Sequence, residues 1–128
     1  MLHAISISIV LVFSLALQAK TPTMEQMVSP VVRATQLIKA EDSEKSRFDY
    51  LTKLKDGLNS IHAGNIGRDK KSFDTRVFYN VMKPVLEMTS AKDCESTKHA
   101  VLLDDGGEKD VTENTQIALN LLNALCES

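Results

Sequence analysis

Apolar residues recur at every third or fourth position along most of this chain and scarcely alternate, a spacing that commits it to helices packed against one another. Met24, Met27, Val28, Val31, Thr35 and Ile38 share one helical face. Phe48, Leu51, Leu54, Leu58 and Ile61 make a second stripe, and Phe73, Val77, Phe78, Val81 and Val85 a third. Near the end, Thr115, Ala118, Leu119, Leu122, Leu125 and Cys126 make a fourth.

Local punctuation places the breaks between them. Thr23 and Gln26 have the spacing of a capping box, so the first helix is expected over about 23–40, kinked or restarted at Pro30. Ser46 is expected to cap a second helix over about 46–63, with Gly64 ending it. Ser72 then caps a third, which Pro84 kinks or breaks near Lys83. A fourth helix starts at about Ser90 or Lys92 and runs to Leu103, where Asp104, Gly106 and Gly107 suit a turn. The fifth starts near Asp110 or Thr112. The expected fold is all-α, a small bundle of four to five helices.

Only two cysteines are present, Cys94 and Cys126. One falls near the start of the fourth helix and the other near the end of the fifth, ends that adjoin in an antiparallel hairpin. Helical rise puts Cys94 about 14 Å before Leu103 and Cys126 about 21 Å beyond Thr112, so a modest stagger brings them together. A disulfide pinning this C-terminal hairpin is expected. Redox-active pairs are usually much closer in sequence.

Such a bond persists outside the cytoplasm. The N-terminal sequence supplies the route: residues 5–17 are apolar apart from Ser6, Ser8 and Ser14. A helix of that length, about 20 Å, is too short for a hydrocarbon core of about 30 Å but suits an export signal. The small residue Ala19 precedes the polar Lys20. Residues 1–19 are therefore expected to be a cleaved signal peptide and residues 20–128 a single helical domain. No second apolar stretch spans a membrane. The expected localisation is periplasmic or secreted.

Charge is unevenly distributed. Residues 20–92 hold 13 basic and 9 acidic side chains, residues 93–128 hold 2 and 8. The net charge of −2 and the lack of tryptophan argue against nucleic-acid partners. Metal ligation has little basis: His62 and His99 stand apart, and Glu95 with His99 gives two ligands at most. The acidic stretch from Asp104 puts Gly106 and Lys109 where a calcium loop needs a ligand and a glycine. No catalytic, haem or other cofactor motif is present. The polar stretch with Arg68, Lys70, Lys71 and Ser72 brings cations to a helix start, a place where a phosphate or carboxylate can be held. It lacks P-loop spacing, and an exposed basic loop is the plainer reading.

With helical stripes abundant and convergent catalytic groups missing, the expected function is an exported binding or accessory protein. Its partner would be another envelope or extracellular protein. The alternative is a small-ligand or anion carrier with a pocket between helices. An enzyme of unfamiliar class ranks third.

Overall fold

A computed structural model describes residues 24–65, 71–104 and 111–127, with side chains described for 24–62, 75–103 and 111–127. The expected signal peptide, the cap Thr23, and Arg68 and Lys70 of the candidate anion site lie outside the described residues. So does the turn beyond Asp104.

Five α-helices and no strand are found among the described residues: α1 (Met24–Lys39), α2 (Glu44–Asn65), α3 (Lys71–Leu86), α4 (Cys94–Asp104) and α5 (Glu113–Cys126). A 3₁₀ turn, Ala91–Asp93, leads into α4. Helix α5 packs against each of the other four. The core lies between these helices, with Phe78 fully buried among Met27, Leu51, Leu58, Met82 and Leu122.

Neither proline interrupts its helix. Pro30 lies inside α1 and Pro84 inside α3, so neither the restart expected at Pro30 nor the break expected near Lys83 occurs. An interior proline costs about 3 kcal/mol or more. Burial of Met27, Val31 and Ile38 around the first, and of Met82, Val85 and Leu86 around the second, offsets it.

Three helix ends differ from expectation. Helix α2 is capped by Ser43, whose Oγ accepts from the Ser46 amide at 3.1 Å while its carbonyl accepts from Arg47 N at 3.1 Å. Ser46 sits inside the first turn and receives a hydrogen bond from the Ser43 hydroxyl. At its far end α2 continues through Gly64 to Asn65. Helix α3 starts at Lys71, so Ser72 lies within the helix instead of capping it. Side-chain placement differs too. Val77 is exposed, because the face of α3 turned inward is Thr75, Phe78, Met82 and Val85.

Two other starts agree with the sequence. Ser90 caps the 3₁₀ turn, accepting from Lys92 N. Thr112 caps α5, accepting from Thr115 N at 3.2 Å. Removing the Thr112 hydroxyl with T112A is expected to cost about 1 kcal/mol of unfolding free energy in urea denaturation, because one α5 amide loses its acceptor.

One end of the bundle is tied three times over. Cys94 and Cys126 form the expected disulfide, with Cα atoms 6.1 Å apart, so α4 and α5 are an antiparallel hairpin. The Ala91 amide donates to Glu44 Oε1 at 2.9 Å, tying the entry of α4 to the start of α2. Arg47 supplies the third tie. It is buried, with 7% of its surface exposed, and its Nε donates to the Leu125 carbonyl at 3.2 Å. Its Nη1 reaches the carbonyls of Glu41 at 3.4 Å and Asp42 at 3.2 Å. One guanidinium thus joins the last turn of α5 to the α1–α2 connection, and its positive charge faces the negative end of the α5 dipole. Because the C-terminal ends of α1 and α5 meet there, the two helices run in the same direction.

Candidate functional site

The α1–α5 seam holds an open groove. The groove, of about 420 Å³, runs between the helices, lined on one side by Val32, Thr35, Gln36 and Lys39. Ile117, Asn120, Asn123 and Glu127 line the other. Its parallel walls place Val32 toward Ile117 at one end and Lys39 toward Glu127 at the other. Val32 is 43% exposed.

Asn120, Asn123 and Glu127 follow Gln116 along one stripe of α5, and Gln116 Nε2 donates to Asn120 Oδ1 at 2.9 Å. Neutral amides at this spacing offer donors and acceptors together, and the apolar residues beside them lose water on contact. No described aromatic ring lines the groove, and its titratable side chains are Lys39 and Glu127.

A second hollow, about 370 Å³, lies where Glu44, Phe48, Asp49 and Thr52 of α2 face Met88 and Thr89. Asp49 is paired there with Lys45 at 3.1 Å.

Of the site residues expected from sequence, Cys94 and Cys126 are brought together. Lys71 and Ser72 fall in the first turn of α3, with side chains outside the described residues. Glu95 and His99 are both exposed on α4, and no group of three or more metal-ligating side chains occurs among the described residues.

Sequence periodicity left several residues unnoticed. Arg47 extends the stripe of Leu51, Leu54 and Leu58 one step backward, and a cation at a core position was the available signal. Gln36, Asn120 and Asn123 resemble any solvated helix face in sequence. His62 and Tyr79 carried no spacing signal at all, yet their rings stack with centroids 4.1 Å apart. The Tyr79 hydroxyl donates to Asn59 Oδ1.

Burial first, then the positive charges of Arg76 and Lys83, hold His62 below its ordinary pKa of 6.5. The folded chain therefore takes up this proton less readily than the unfolded chain. Its full contribution to stability is present above pH 6.5 and is lost as pH falls from there through the lower folded value. The urea midpoint is expected to drop between about pH 7.5 and about pH 5.5, and H62Q to flatten that part of the profile.

No protein-family model matches the chain, and neither a curated protein nor a solved structure matches it.

Proposed function

We propose that this chain is an exported helical binding protein, working in the periplasm or extracellular space, that docks a segment of another protein along the α1–α5 groove. The observation that carries the reading is the exposure of Val32, 43%, in a groove edged by neutral amides. Exposed apolar side chains with adaptable hydrogen-bonding neighbours favour contact with a polypeptide. A helical segment suits the geometry, since two helices running together leave a trough for a third. An apolar side chain of the partner would seat between Val32 and Ile117, and its charges would answer Lys39 and Glu127.

Export is supported by the apolar leader and by the disulfide, which lasts in an oxidising compartment. No described helix is long and apolar enough to cross a membrane.

The test is photo-crosslinking in the native host with benzoylphenylalanine placed at Val32, at Asn120 or, as a control, at Lys98. The two groove positions are expected to trap the same discrete adduct, Lys98 to trap none, and V32E to abolish the adduct made from Asn120. An adduct pattern indifferent to position, or one that survives V32E, would overturn the reading.

A further inference from the structure

The α2–α3 hairpin carries a second polar feature, far from the groove residues in sequence and unused by the docking proposal. Its centre is the stacked pair of His62 and Tyr79, whose ring planes lie within 9° of parallel. The tyrosine is fixed by its hydrogen bond to Asn59. His62 Nδ1 is buried without a hydrogen-bond partner. A ring nitrogen in that state is least costly as a bare lone pair, which leaves the proton on Nε2 as a donor.

Cations flank this pair. Arg76 precedes Tyr79 by three residues and Lys83 follows it by four, so all three share one face of α3. Both charges reach His62 strongly enough to oppose its protonation. The contacts of Asn59 and His62 with Tyr79 fix the antiparallel register, and continuing it sets Lys55 opposite Lys83.

Among the described residues, counter-charge is sparse. Lys83 has a loose partner in Glu87, at 3.9 Å with both side chains more than half exposed. Asp56 is exposed on α2. Among the described residues no carboxylate forms an ion pair with Arg76 or Lys55. Like charges gathered across a helix seam raise the local potential, and an anion relieves it.

We propose that this face of the α2–α3 hairpin binds a phosphate-bearing ligand, with Arg76 and Lys83 gripping the oxyanion over the Tyr79–His62 stack. Seven residues of helix separate the two cations by about 10.5 Å along the axis, a gap their long side chains close from either side. The guanidinium supplies a two-pronged contact to phosphate oxygens and the ammonium a point charge. The His62 Nε2–H is a third donor. Binding and protonation are linked: a phosphate held here must make His62 easier to protonate, and protonated His62 must bind phosphate more tightly.

The experiment uses the full oxidised domain, titrated with inorganic phosphate while the His62 ring carbons are followed by NMR over a range of pH. Saturable shifts are expected, with the His62 pKa rising as phosphate is added. R76Q and K83Q should each weaken binding about tenfold or more, whereas K92Q, on another surface, should leave it within about twofold. Both replaced side chains are exposed or partly so, and far-UV circular dichroism verifies that each variant is folded.

A parallel arm uses vesicles of anionic phosphatidylglycerol against vesicles of neutral phosphatidylcholine. Saturable shifts with free phosphate assign a soluble phosphate compound. Binding only to the anionic vesicles, lost in R76Q, assigns a lipid headgroup. Both results support the site. Shifts that never saturate, an equal loss in K92Q, or no response in either arm overturns it.

Discussion

Replacing Cys94 and Cys126 together by serine is expected to lower the unfolding free energy by about 3–4 kcal/mol. The sulfurs close a loop of sequence separation 32, and cutting it returns that much chain entropy to the unfolded state. Against the 5–15 kcal/mol or so that stabilises a typical small domain, this is a large share. Wild-type protein in dithiothreitol should show the same loss as C94S/C126S, which separates the bond itself from the effect of serine. Hydrogen exchange should locate the change at the start of α4 and the last turn of α5. A urea midpoint that the double replacement leaves unmoved would show that packing alone holds this end.

Replacing Arg47 by methionine is expected to cost about 2–4 kcal/mol. Methionine keeps most of the buried stem, so the loss falls on the carbonyls of Leu125, Glu41 and Asp42, which the guanidinium now satisfies. R47K should recover only part of it. An ammonium is a compact point charge and cannot reproduce a fork that addresses α5 with one nitrogen and the α1–α2 connection with another. Because Arg47 and the disulfide hold the same turn of α5, their losses should not add. A double-mutant cycle is expected to return an interaction energy of at least about 0.5 kcal/mol. Additive losses would mean that the two ties act independently.

Much of this architecture is legible in the residues. Leu51, Leu54 and Leu58 define α2, and Met27, Val31 and Ile38 define α1, because burial repeats with the helical turn. The cysteine pairing follows from their positions at opposite ends of consecutive helices. Thr112 could be recognised as a cap because its hydroxyl precedes a clean apolar repeat.

Elsewhere the sequence offers two answers of equal local merit. Ser43 and Ser46 are both good caps, and Ser43 is used where Arg47 reaches back to Leu125. On α3 two stripes overlap, one through Val77 and Val81, the other through Phe78 and Met82. Phe78 buries more apolar area than Val77, and tertiary packing turns it inward. Pro30 and Pro84 carry a strong local signal that burial on either side overrides. The groove was least legible of all. Gln36, Asn120 and Asn123 become neighbours only when α1 and α5 run side by side, and their alignment depends on the Arg47 tie, a contact between residues 78 apart.

Compartment and covalent state meet in one measurement, intact-mass spectrometry of the protein purified from its own host without reductant. Export predicts a chain that starts at Lys20, with a mass two hydrogens below that of the dithiol form. A chain that keeps Met1 and carries both sulfurs as free thiols would contradict it.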